Sequence, residues 1–244
     1  MNTKMKVLSL ALIGAFGYAG AAAAACPAGP TTAEGGAWSS KSVLGGAIAI
    51  TTPGFESTEC KMDASITSTA FGSAYVRDET PAAETRYRAR FVVDTTNLTG
   101  LNSLQSVRVL SANTDSPYLS ISEAVRVSVF GNVTGTTQNI LVAAGCEGET
   151  SNLCTASVPL SGPGIHTVQI DFQQGTVGTV DVWIDNNNEA SPDITLSGNT
   201  SGWVVDYAVL GLSTPSPGFR TSQTNKVVSF DSFDSRRQTF IASP

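Results

Sequence analysis

The ten residues TRYRARFVVD, Thr85 to Asp94, alternate strictly with a period of two. Tyr87, Ala89, Phe91 and Val93 share one face, and Arg86, Arg88 and Arg90 share the other. A helix would scatter these residues around its axis. Only a β-strand sorts them into one apolar and one charged side. The same alternation recurs along the chain. It predicts strands at Ala47–Ile50, Phe71–Arg77, Val107–Leu110, Val125–Phe130, Ile140–Ala143 and Ala156–Leu160. Further strands are predicted in GIHTVQIDF, GTVDVWID, WVVDYAVLGLS and KVVSFDSFDS. Gly, Pro, Asn and Asp punctuate these runs, as turns require. About eleven short strands with no helical period predict an all-β antiparallel sandwich. Neither a repeat nor a linker divides the chain, so residues 26–244 read as one domain, with 26–69 partly irregular.

Residues 1–25 read as a signal peptide: Lys4 and Lys6, an apolar run from Val7, then an alanine tract ending at Ala25. No later run approaches the ~20 apolar residues of a membrane helix, so no transmembrane segment is expected. About 219 residues follow the leader, enough for one β-sandwich core. They hold Cys26, Cys60, Cys146 and Cys154, an even set suited to an oxidising compartment. Of the three pairings four cysteines allow, proximity favours Cys146–Cys154 and leaves Cys26–Cys60. Cys26 also stands where a lipoprotein cysteine would, but Ala23-Ala24-Ala25 lacks the usual leucine. The expected destination is therefore the periplasm or the medium. Loss of Lys4 and Lys6 takes the formal net charge two units below the −6 of the whole chain. Such an acidic chain is a poor partner for nucleic acid.

YRARFVVD, GIHTVQIDFQQG, GTVDVWIDNN, WVVDYAVLGLS and FDSFDSRR, in that order, resemble the concanavalin A-like and laminin-G-like jelly roll. The set also resembles uncharacterised secreted proteins of Gram-negative bacteria that end in FD-x-FDSRR. The resemblance spans about residues 70–241 and implies a two-sheet jelly-roll sandwich. That fold hosts lectins, adhesion modules, hydrolases and lyases, so it does not fix a function.

No catalytic constellation is legible. His166 is the single histidine, too few for a zinc site. The laminarinase-type E-x-D-x-x-E motif is absent, as are the Q-I-H and Y-F-K-A-G signatures of jelly-roll lyases. His166 and Gln169 differ in parity and should face opposite ways. Arg86, Arg88 and Arg90 read as a solvated row that pairs with neighbouring acids or grips an anionic glycan. Trp203 and Trp38 are candidates to stack on a sugar ring, whereas Trp183 is expected to pack inside. The resemblance makes calcium the one candidate cofactor. Asp185, Asn187 and Glu189 would be its ligands, although the loop is no EF-hand because Ala190 replaces the required glycine. In FDSFDSRRQTF, Phe233 has the opposite parity to Phe230. Either both faces are covered or a bulge near Asp231–Ser232 shifts the phase.

The leading expectation is a secreted, non-enzymatic protein that binds carbohydrate or an envelope component. The alternatives are a polysaccharide lyase or hydrolase on the same fold, and a self-assembling extracellular protein.

Overall fold

The computed structural model describes residues 25–115, 122–146, 153–236 and 238–242. The signal-peptide reading falls on residues outside this range, Ala25 excepted. Fourteen strands form among the described residues. They are β1 (Ser40–Ser42), β2 (Gly46–Thr51), β3 (Lys61–Ile66), β4 (Ala74–Asp78), β5 (Arg86–Asp94), β6 (Ser106–Asn113) and β7 (Glu123–Gly131), then β8 (Gln138–Gly145), β9 (Leu153–Pro159), β10 (Ile165–Gln173), β11 (Gly178–Ile184), β12 (Ile194–Gly198), β13 (Tyr207–Ser213) and β14 (Val227–Arg236). One short helix, α1 (Pro217–Ser222), is capped by Ser216, whose hydroxyl accepts the Phe219 N–H.

Two antiparallel seven-stranded sheets result. The first runs β1-β4-β13-β6-β7-β8-β9 and the second β12-β11-β10-β5-β14-β3-β2. One apolar cluster lies between them, including Phe91, Phe172, Phe230, Ile66, Ile140 and Trp203. Burying each such side chain contributes about 1.5–3 kcal/mol, so the inward face of every strand favours the sandwich. The jelly-roll expectation therefore holds.

The sequence reading misses three strands, β1, β3 and β12. β3 lies inside the stretch expected to be partly irregular. Its Met62, Ala64 and Ile66 are buried while Lys61, Asp63 and Ser65 are less so. The period of two is present there, but small side chains blur it. The strand expected from Phe71 starts at Ala74, and Phe71 is exposed. In β14 the register shifts between Asp231 and Asp234, and Ser232 takes a positive φ of 49°. The bulge alternative is thus the one adopted. Both disulfides form as expected, Cys26–Cys60 and Cys146–Cys154. A Cys26 sulfur held in a disulfide cannot also carry a lipid.

Candidate functional site on the face of the first sheet

The arginine row lies on the outer face of the second sheet, where β10 pairs with β5. Asp171 stands opposite Arg88 and Gln169 opposite Arg90. Arg86 is partly exposed, but the rest of the row is not solvated. Arg88 is 4% exposed and Arg90 3%. Asp171 is buried and takes two guanidinium groups. Arg86 Nη2 lies 2.8 Å from its Oδ2, and Arg88 Nε donates to the same oxygen at 2.8 Å. Arg88 Nη1 donates to Glu189 Oε1 at 2.8 Å, and Arg90 Nη1 donates to Glu56 Oε2 at 3.0 Å. The physical reason is simple. Two arginines carried into a poorly solvated face need carboxylates, and the chain supplies them from β10 and two loops. The row's charge is therefore neutralised within the protein.

Trp183 belongs to this same outer face and not to the cluster between the sheets, which corrects the expected inward packing. The C-terminal Phe240 covers it edge-on, with centroids 5.3 Å apart. Its Nε1 donates to Asn188 O at 3.0 Å. Trp203 is also corrected. It is fully buried in the core, and a Cβ placed on Gly145 would come within 2.2 Å of its ring. No sugar can reach it.

His166 and Gln169 do face opposite ways. His166 is buried. Its Nδ1 lies 2.8 Å from Asp185 Oδ2 and its Nε2 lies 2.8 Å from Gly162 O. Both neighbours are acceptors, so the imidazolium form, in which both ring nitrogens donate, satisfies both contacts. Burial opposes that charge, but the hydrogen bonds to Asp185 and Gly162 outweigh it and raise the pKa above 6.5. For Asp185, burial likewise opposes the charge, and the His166 and Thr167 hydrogen bonds lower the pKa nonetheless. Asp185 and Glu189 thus serve two different partners, His166 and Arg88. Among the described residues no group of three or more His, Cys, Asp or Glu side chains is clustered to hold a metal ion. The ligand trio Asp185, Asn187 and Glu189 gains no support.

The first sheet presents a different outer face. In β4, Ala74 and Val76 point into the core, which turns Tyr75 and Arg77 outward. In β13, Ala208 and Leu210 are core residues, which turns Tyr207 and Val209 outward. The register sets Arg77 beside Val209, Tyr75 beside Gly211, and Tyr207 beside Asn113. A bulge between Leu210 and Ser213 carries Ser213 to the place opposite Arg108. Gly211 makes the bulge feasible. Its φ is +124°, and a Cβ there would lie 2.6 Å from Ala74 O.

The result is a cleft of ≈ 410 Å³ whose lining includes Tyr75, Arg77, Arg108, Asn113, Glu123 and Tyr207. That volume suits a few sugar residues or another small ligand. The Arg77 guanidinium stacks on Tyr207, with Cζ 3.7 Å from the ring centroid. Arg77 Nε also lies 3.2 Å from Glu79 Oε1, without hydrogen-bond geometry. Arg108 pairs with Glu123, and Arg126 Nη1 donates to the other oxygen of that carboxylate at 3.4 Å. Asn113 donates to Ser111 O and Oγ, at 3.2 and 3.0 Å. Three arginines thus face two glutamates, Glu79 beside Arg77 and Glu123 shared by Arg108 and Arg126. The phenol of Tyr207 titrates above 10. Burial is the main cause, Arg77 opposes it, and Asp115, Glu123 and Tyr75 reinforce it. Tyr207 therefore keeps its proton at neutral pH and can donate it. The sequence reading places all four strands but takes none of Tyr75, Arg77, Arg108, Glu123 and Tyr207 as a site. The available signal was polar outward parity: Tyr75 and Arg77 alternate with buried Ala74 and Val76.

No protein-family model matches the chain, and no curated protein sequence does. Solved structures do match. An endo-β-1,4-glucuronan lyase from the fungus Trichoderma reesei aligns over 84% of this chain and 93% of its own, with TM-score 0.57 and 12% identity. A PL-14 alginate lyase from Aplysia kurodai aligns over 87% and 96%, with TM-score 0.56 and 10% identity. A variant of alginate lyase Aly36B, in complex with alginate tetrasaccharide, aligns over 90% and 96%, with TM-score 0.57 and 8% identity. At such identities the likeness is one of fold. The chain is a jelly-roll β-sandwich of the concanavalin A-like kind, built like these polysaccharide lyases. The leaning towards a non-enzymatic protein is thereby corrected. It rested on missing sequence signatures, and catalysts share this sandwich at about a tenth of identical positions.

Proposed function

We propose that the protein is an exported polysaccharide lyase acting on uronate-bearing glycans, with the cleft of the first sheet as its active site. The carrying observation is the Arg77–Tyr207 stack beside Tyr75 and Arg108 in an open cleft. β-Elimination needs three things. A cation must neutralise the uronate carboxylate, so that the proton on C5 becomes acidic. A base must take that proton. An acid must protonate the departing O4 as the C4–O bond breaks and the C4=C5 double bond forms. Arg77 and Arg108 supply the cations. Tyr207, held protonated, supplies the acid. Tyr75 lines the same cleft and is assigned the base.

Support comes also from the fold shared with alginate and glucuronan lyases, and from two disulfides that fit an exported protein. Incubation with polyglucuronate, polymannuronate and polyguluronate tests the reading. New ultraviolet absorbance from unsaturated chain ends supports it, and silence across all three polymers ends it.

A further inference from the structure

We infer that the protein has a second sugar-binding site, separate from the cleft, that takes an amino-sugar oligosaccharide. The site is a cavity of ≈ 580 Å³ at one end of the sandwich, under the segment that precedes β1. Met62 and Leu210 from the core and Ile50 from β2 form an apolar floor. Trp38 and Phe233 stand on it, with ring centroids 4.8 Å apart and planes tilted by 45°.

Both aromatic groups are positioned by unusual backbone. Trp38 closes a short loop in which its N–H donates to Pro30 O at 3.1 Å and its carbonyl accepts from Thr32 N at 3.0 Å. The Cys26–Cys60 disulfide ties this segment to the start of β3. Phe233 reaches Trp38 because β14 breaks its register between Asp231 and Asp234, with Ser232 in the left-handed region. Non-glycine residues seldom adopt that conformation, and such strain concentrates at binding sites.

The polar lining selects the ligand. Asp78, Asp231 and Asp234 line it, together with one lysine, Lys61. Their carboxylates are partly engaged: Asp78 accepts from Thr80 N, Asp231 from Phe55 N, Thr58 Oγ1 and Ser232 N, and Asp234 from the Arg236 guanidinium. Each retains lone pairs, because a carboxylate offers about four acceptor sites. An adjoining recess of ≈ 260 Å³ shares Thr80 and Ser235 with the cavity. Tyr87 lines that recess. Aromatic faces beside carboxylates hold a pyranose ring by its apolar face and an ammonium by its charge. The same acids repel a uronate. The two sites are therefore opposite in sign, with arginines in the cleft and aspartates here.

Titration with a glucosamine tetramer, followed by tryptophan fluorescence, tests the inference. Trp183 and Trp203 are buried, so quenching reports on Trp38. Saturable quenching is expected, with at least ~10-fold weaker affinity in both Asp78→Asn and Trp38→Ala. The N-acetylated tetramer, which lacks the charge, is expected to bind at least ~10-fold more weakly than the amine, and an oligouronate not at all. Absent quenching overturns the site. Equal binding of the N-acetylated tetramer or of the oligouronate overturns the amino-sugar assignment. Should Trp38→Ala fail to fold, unchanged affinity in Asp78→Asn alone is enough to reject it. The outcome does not depend on the lyase reading, since no cleft residue takes part.

Discussion

Asp185 and Gly162 hold His166 from opposite sides, each 2.8 Å from one ring nitrogen. The imidazolium that results links the loop before β10 to the end of β11. Its folded-state pKa is raised, so its stabilisation is fully present below about 6.5 and is lost as pH rises through the raised folded value. The pKa of Asp185 is lowered, so its contribution holds above about 3.8 and is lost as pH falls through the lower folded value. Thermal melts against pH should show His166→Gln losing stability relative to wild type on the acid side and converging with it in alkali. Parallel curves at every pH would refute the charged ring.

Asp171 carries Arg88 and Arg86, and Glu189 only assists at Arg88. Asp171→Asn should cost about 3–5 kcal/mol, because it leaves the Arg88 charge poorly compensated in a buried setting. Glu189→Ala should cost at most about 1 kcal/mol, since that carboxylate is 56% exposed. Urea unfolding of the two variants measures the difference, and equal losses would contradict this division.

Gly145 and Trp203 are packed against each other. Gly145→Ala forces a methyl group into the indole and should cost about 1–3 kcal/mol. Trp203→Ala should cost about 3–5 kcal/mol by leaving a cavity. Near-native stability for both would mean that the indole lies elsewhere.

The disulfides differ in span, 34 residues for Cys26–Cys60 and 8 for Cys146–Cys154. Chain entropy makes the wider loop worth about 1 kcal/mol more. Paired Cys→Ser variants should show the larger loss for Cys26 and Cys60. The reverse order would point to native-state contacts at the tighter loop.

Alternation exposes the architecture in the sequence because it is a local property. TRYRARFVVD, GIHTVQIDF and GTVDVWID each show their inward face unaided. The cysteine pairs follow from spacing. Side-chain environment on an outer face is another matter, because it depends on what folds over that face. Arg88 and Arg90 look solvated until Glu56, Glu189 and Phe240 are in place. The cleft is hidden for a related reason. Tyr75 and Tyr207 are 132 positions apart in the chain, and only the pairing of β4 with β13 brings them together. Gly211, which permits that geometry, reads as an ordinary strand glycine.

The most direct test of the active-site assignment is the initial rate of C4=C5 double-bond formation on a defined oligouronate, for wild type and Tyr207→Phe side by side. Wild-type turnover with a loss of about 10²–10⁴-fold in the variant is expected if Tyr207 protonates the leaving oxygen. An unchanged rate in Tyr207→Phe, at wild-type stability, would contradict the placement of the reaction on this face.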